Sequence, residues 1–240
     1  MDYRDRLYKD YASGHTAHLY GEASLARIRA QYPVWQEYFG AWLPADKAAR
    51  VLDIGCGNGD FVHWLQEAGY TRAEGIDRSP EQIELGKRLG VEGLNEASIE
   101  EFLPQHADEY DLITARDVLE HFRKDELLPL LDQVHAALAP GGSFVAQTAN
   151  AENWLWGRLR YGDFTHETVF TKNSIRQILL ATGFREIEVL PQRPVVHGVV
   201  SAARAFLWWL GEWQMRIYLL IETGSWDGIF TQNLLIRAKK

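Results

Sequence analysis

The stretch Arg50–Asp60, RVLDIGCGNGD, constrains the fold of this chain more than any other segment. The apolar run from Arg50 to Ile54, rich in β-branched residues, reads as a buried parallel strand. It breaks into Gly55-x-Gly57-x-Gly59 and then into an amphipathic segment, Phe61 to Ala68, closed by Gly69. Glycines at such a turn let the backbone fold sharply and approach a ligand without Cβ clashes. The helix that follows offers free N–H groups and a positive dipole end to something anionic.

The turn departs from the two best-known phosphate loops. A dinucleotide binder carries G-x-G-x-x-G/A, whose third small residue lets helix and strand pack closely. Here that position is Asp60, and no G-x-x-x-x-G-K-[ST] pattern follows. S-adenosylmethionine fits better, with a carboxylate and an amine to hold at the loop and no phosphate. A second strand, Ala73–Asp77, ends in a carboxylate 18 residues beyond Gly59. An acid there is placed to accept hydrogen bonds from ribose hydroxyls. Ser79-Pro80-Glu81-Gln82 then reads as an N-cap with Pro at N1 and an acidic first turn. A third strand is expected over 91–95, leading to Ser98 and Ile99, a polar and an apolar residue able to bracket an adenine. Tyr110–Ala115 reads as a fourth strand, and Leu138–Gly142 as a turn before a fifth, Ser143–Thr148.

VLDIGCGNG, GIDRSP, YDLITARDVLEHF and LAPGGSFV resemble, in order, the successive motifs of class I S-adenosylmethionine-dependent methyltransferases, over about residues 45–190. The resemblance implies a doubly wound α/β fold: a seven-stranded, mostly parallel Rossmann-like sheet with an antiparallel last strand and helical insertions. It also implies that Asp53, Gly55, Gly57 and Gly59 shape the methionine end of the cofactor. Asp77 would take the ribose with Arg78 flanking it, Ser98 and Ile99 would sit at the adenine, and Arg116 would line the methyl-donor side.

Composition narrows the setting. At 240 residues and 46% apolar content the chain suits one domain with insertions. A net charge of −8 opposes a nucleic-acid partner, which calls for a basic face. The single cysteine, Cys56, has no intrachain partner, and Met1–Asp10 is too charged for a signal peptide, so a cytoplasmic setting is expected.

Three segments depart from regular strand–helix alternation. Residues 1–45 precede the first strand and contain an expected helix over 22–39, entered by a Tyr- and His-bearing run. This arm is either a lid over the cofactor, with Tyr11, His15 and Tyr20 at the site, or a helix covering the sheet. Residues 150–170 are too long for a simple connection. They carry Trp154, Arg158, Tyr161 and Asp163, a mixture suited to a polar, ring-shaped acceptor such as a sugar. The run DFTHETVFTKNSIRQILLATGF resembles a segment of methyltransferases from bacterial glycan and O-antigen biosynthesis, which in those enzymes crosses the mouth of the active site. Quinone-ring O-methyltransferases carry a similar histidine. Residues 191–229 interrupt what should be a tight hairpin between strands six and seven. Their centre, 201–222, is strongly apolar, but Arg204, Glu212, Gln214 and Arg216 oppose a transmembrane span. It reads as enlarged core or a homodimer interface, or as a peripheral membrane helix serving a lipid-linked acceptor.

Methyl transfer to a hydroxyl requires removal of its proton, work that histidine suits near neutral pH. His166 and His121 are the candidates. Glu-His pairs like Glu120-His121 recur in methyltransferases with unrelated acceptors, so His121 also reads as structural. Asp117 and Asp163 are placed to orient a histidine. The linear sequence shows no Cys, His or carboxylate cluster at metal-ligand spacing, so no metal is expected. The expected activity is O-methylation of a sugar hydroxyl in polysaccharide assembly. A quinone- or lipid-type acceptor is the alternative, and a non-catalytic cofactor-binding module is the alternative of another class.

Overall fold

A computed structural model of the chain describes residues 3–8 and 23–240. Tyr11, His15 and Tyr20 lie outside the described residues. A seven-stranded sheet runs in the order β3-β2-β1-β4-β5-β7-β6. Its strands are β1 (Val51–Ile54), β2 (Ala73–Asp77), β3 (Leu94–Glu96), β4 (Tyr110–Arg116), β5 (Leu138–Ala149), β6 (Arg185–Pro191) and β7 (Asn233–Lys239). β1 pairs in parallel with β2 and β4, whereas β7 is antiparallel to both its neighbours. Strand order therefore reverses between β1 and β4, and a ligand crevice opens at the carboxyl ends of strands flanking such a point.

Alternation along the strands feeds two apolar layers. Val51, Leu112, Val145 and Leu235 face Trp35, Phe39, Phe61 and Trp64 on α2 (Leu25–Phe39) and α3 (Asp60–Glu67). Leu52, Ile54, Ile113 and Phe144 face Leu127, Leu131, Ile175 and Leu179 on α6 (Lys124–Ala137) and α8 (Lys172–Ala181). With both faces covered, the central strands read as continuous apolar runs. Between these elements lie α4 (Pro80–Arg88), α5 (Ile99–Phe102) and α7 (Trp156–Gly162), and α1 (Tyr3–Tyr8) precedes them all.

Several boundaries differ from expectation for local reasons. α2 starts at Leu25, where the Ser24 hydroxyl caps the Arg27 N–H. β3 starts later than expected because Val91 N–H closes α4 by donating to the Gly86 carbonyl, and Gly93 then turns at φ +69°. Leu138–Gly142 belongs to β5: Leu138 already pairs with Tyr110, and a register shift around Gly141, at φ +80°, absorbs the extra residues.

The β6–β7 connection carries α9 (Val199–Thr223). The expectation that this helix enlarges the core is corrected. Only Ser201, Glu212 and Met215 are buried on it. Glu212 is held inward by Arg193 at 3.0 Å and Arg216 at 2.6 Å. Phe206, Trp209, Leu210, Trp213, Ile217 and Ile221 recur at helical spacing on an exposed stripe. Among the described residues, no helix is long and apolar enough to cross a membrane.

Candidate active site

A cavity of about 810 Å³ opens at the carboxyl ends of β1, β2 and β4. Its floor is the β1–α3 turn. Gly55, Gly57 and Gly59 all have positive φ, at +65°, +56° and +73°. A Cβ on Gly55 would strike Val118 Cγ2 at 2.6 Å, whereas one on Gly57 would meet nothing nearer than 4.0 Å and would project into free space. Gly59 differs from the expected role. It begins α3 away from the cavity lining, and a Cβ there would meet Leu94 at 2.7 Å, so it serves the packing of loop on strand.

The Asp77 carboxylate ties this turn to the next one, accepting from Gly57 N–H at 2.9 Å and Ser79 N–H at 2.8 Å. Burial pushes its pKa up, against these two hydrogen bonds. Arg78, Ser98 and Ile99 continue the wall, with the Arg78 guanidinium 5.0 Å above the Tyr8 ring. Arg116 also lines the cavity; it pairs with Asp60 at 2.6 Å and lies over Phe61 and Trp35. Asp53 sits behind the turn, 1% exposed. Its Oδ1 accepts from the Thr114 hydroxyl at 2.6 Å, and its buried Oδ2 is unpartnered. Burial, with added repulsion from Asp60 and Asp77, pushes its pKa up to about 6. A ligand bearing an ammonium and a sulfonium relieves such a concentration of carboxylates, so this floor fits S-adenosylmethionine.

The other end of the cavity is built from two segments that the sequence keeps apart. Glu120 and His121 follow β4, and the Glu120 carbonyl accepts the N–H groups of Glu167 at 2.7 Å and Thr168 at 3.0 Å. This clamp lays residues 163–168 across the mouth. Thr165 donates its hydroxyl to Asp163 Oδ1 at 2.6 Å and contacts His121 Nδ1 at 2.9 Å. The His121 and His166 rings meet edge to face, centroids 4.8 Å apart. His166 Nδ1 lies 2.7 Å from the Leu159 carbonyl, while Arg160 donates to the His166 carbonyl. Burial, and His166 after it, push the His121 pKa down to about 4. Burial and Asp117 push that of Glu120 up to about 8.

Arg158, Asp163, His121 and His166 all line the cavity. Trp154 and Tyr161, expected to contact the acceptor, lie outside the cavity lining and are 62% and 73% exposed. Asn150 and Asn153 explain this by fastening the segment inward, their side-chain amides donating to the carbonyls of Ile229, Thr231 and Phe230. Asn153 Oδ1 also accepts the Leu155 N–H at 2.8 Å, leaving Trp154 on the outside of a tight turn. The expectation of no metal-ligand cluster is also revised, because folding brings His121, Asp163 and His166 together in such a group. Sequence reasoning missed Arg4, Tyr8 and Glu120 as cavity residues. Arg4 docks α1 there by pairing with Glu126 and donating to the His121 carbonyl. The only signal for Tyr8 was its place at the start of an aromatic run.

Comparison with known proteins agrees with this geometry. The family model described as "Methyltransferase domain" matches residues 22–189. Ubiquinone biosynthesis O-methyltransferases are similar: that of Actinobacillus pleuropneumoniae is 33% identical over 110 residues, 42% of this chain and 46% of the relative. That of Salmonella newport is 30% identical over 115 residues, 45% of each. The chain thus spans less than half the length of the curated relatives it matches. A SAM-dependent methyltransferase from Archaeoglobus fulgidus superposes with a TM-score of 0.65 at 20% identity, covering 89% of this chain and 96% of that one. A Haemonchus contortus phosphoethanolamine N-methyltransferase 2, solved with S-adenosyl-L-methionine, gives 0.60 at 15% identity, covering 97% and 59%. With the family model covering most of the sheet and the cofactor floor, the chain belongs to the methyltransferase-domain family, and its fold is that of solved SAM-dependent methyltransferases.

Proposed function

We propose that this enzyme methylates an oxygen, a hydroxyl of a sugar in glycan assembly. The observation that carries the reading is the polar far end of the cavity, where Arg158, Asp163, His121 and His166 share one wall. Such a lining hydrogen-bonds a polyol, whereas a flat quinone calls for apolar ring contacts, which the exposed Trp154 and Tyr161 do not supply inside and which fall to Tyr8 and Phe122 on the lining.

Bound S-adenosylmethionine supplies an electrophilic methyl group. The chain's own residues align it, keep out water and handle the acceptor's proton. A carbonyl only accepts hydrogen bonds, so the His166 ring bears a proton on Nδ1, toward Leu159, and Nε2 is the nitrogen left to take the acceptor's proton. His121, with a pKa near 4, is too weak a base for this task. His166 takes the acceptor proton while Thr165, braced by His121, holds Asp163 in place. The similarity to ubiquinone biosynthesis O-methyltransferases supports one other reading, a quinone-type acceptor.

A screen with methyl-labelled cofactor against nucleotide sugars, glycans and catechols distinguishes these acceptors. His166→Ala should lower kcat by about 10²–10⁴-fold with cofactor affinity unchanged. Undiminished turnover would remove His166 as the base.

A further inference from the structure

We infer that His121, Asp163 and His166 form a binding site for one divalent transition-metal ion. A ring nitrogen of each histidine and a carboxylate oxygen of Asp163 lie within 4.8 Å of one another. Asp163 is buried and the histidines are half-buried, all on the cavity wall. The groups behind these side chains match what metal sites require. Ligating imidazoles usually tie their second ring nitrogen to a carbonyl, carboxylate or similar group, which fixes tautomer and ring orientation. His166 does so through Nδ1 and the Leu159 carbonyl at 2.7 Å. His121 does so through Nδ1 and the Thr165 hydroxyl at 2.9 Å. That hydroxyl spends its own hydrogen on Asp163 Oδ1, so one threonine braces two of the three residues. Each ring is left with Nε2 to coordinate. Asp117 lines the same cavity and adds a further carboxyl group beside the three residues.

Two imidazoles and one carboxylate suit zinc, iron, cobalt, nickel or manganese better than magnesium or calcium. Three protein ligands leave coordination positions open toward the cavity, as in catalytic rather than structural sites. The role of the ion rests on the O-methylation reading: a coordinated acceptor hydroxyl is oriented and acidified. A His166 lone pair held by the ion cannot also take a proton, so His166 acts as the base only in the ion-free site, and with the ion bound the acidified hydroxyl releases its proton to solvent water.

The test uses the full chain, stripped by a chelator, dialysed and titrated by calorimetry with ZnCl2, MnCl2 and MgCl2, without cofactor or acceptor. A CoCl2 titration followed by visible absorption reports the ligand field directly. The expected result is one zinc or manganese ion per chain, bound more tightly than magnesium. His121→Asn, Asp163→Asn and His166→Asn should each weaken binding by about tenfold or more. Thr165→Val, which keeps all three ligands, should weaken it by about 10–100-fold while circular dichroism shows an intact fold. No binding by the wild-type chain, or binding unchanged in the three ligand variants, overturns the inference. Methyl transfer to a sugar hydroxyl by stripped protein that binds no ion also overturns it and leaves the O-methylation reading intact. Stoichiometric metal binding with no oxygen acceptor methylated supports the site and refutes that reading instead.

Discussion

Replacing Glu120 with glutamine tests the electrostatics of the cavity wall. The Glu120 side chain is 2% exposed and accepts from the Thr148 hydroxyl at 2.8 Å. Burial first, and the Asp117 charge second, raise its pKa from 4.5 to about 8, against hydrogen bonds from Thr148 and backbone N–H groups. The folded chain therefore keeps this proton at pH 7, whereas the unfolded chain releases it above 4.5. Between pH 4.5 and 8 the native state binds more protons than the unfolded state, so unfolding free energy falls as pH rises. The stability is fully present below 4.5 and lost by the time pH passes 8. At about 1.36 kcal/mol per pH unit, the interval corresponds to a ceiling of about 5 kcal/mol. Glu120→Gln keeps the side chain's shape and carries no titrating proton. Near pH 5 the variant should lie within about 1–2 kcal/mol of wild type, the cost of an imperfectly matched amide. By pH 9 it should have gained about 3–5 kcal/mol relative to wild type. Urea unfolding followed by tryptophan fluorescence from pH 5 to 9 measures this difference. Parallel stability curves would show that Glu120 is ionised in the native state and that the wall is not desolvated.

The two cavity-floor glycines should separate stability from binding. Gly55→Ala combines a left-handed backbone cost of about 1–2 kcal/mol with a clash against Val118 of about 1–3 kcal/mol, so its Tm should drop clearly. Gly57→Ala meets no neighbour, so it should lose only about 1–2 kcal/mol yet weaken cofactor binding by blocking the cavity. Equal Tm losses in the two would refute this division. Asp77→Asn should weaken S-adenosylmethionine by about tenfold or more in calorimetry, because a charged acceptor that also braces Gly57 and Ser79 is lost. An unchanged dissociation constant would overturn its ribose role.

The cofactor half was legible in the sequence because its chemistry is local. Strand, glycine turn and helix start are contiguous from Val51 to Glu67, and Asp77 ends the very next strand. Phase and spacing along one stretch of chain therefore predict the floor of the cavity. Boundaries moved where a turn needed a positive φ that composition does not announce, as at Gly93 and Gly141. The acceptor half was only partly legible. Sequence identified residues 150–170 by length and composition but assigned its aromatics to the inside. Tertiary hydrogen bonds from Asn150 and Asn153 turned Trp154 outward, and no pattern within the segment encodes them. In α9 the apolar residues left core, dimer-interface and membrane-facing readings open, and in the structure Glu212, paired with Arg193 and Arg216, is buried while the aromatic stripe faces out.

By itself, then, the sequence determined the fold class and the cofactor floor, because neighbouring residues build both. Only the tertiary structure decided what stands opposite that floor. His121 and His166 are 45 positions apart, and they meet because the Glu120 carbonyl captures the N–H groups of Glu167 and Thr168. A contact between such distant segments is set by backbone geometry rather than by periodicity, and a cluster made in this way has no spacing to read.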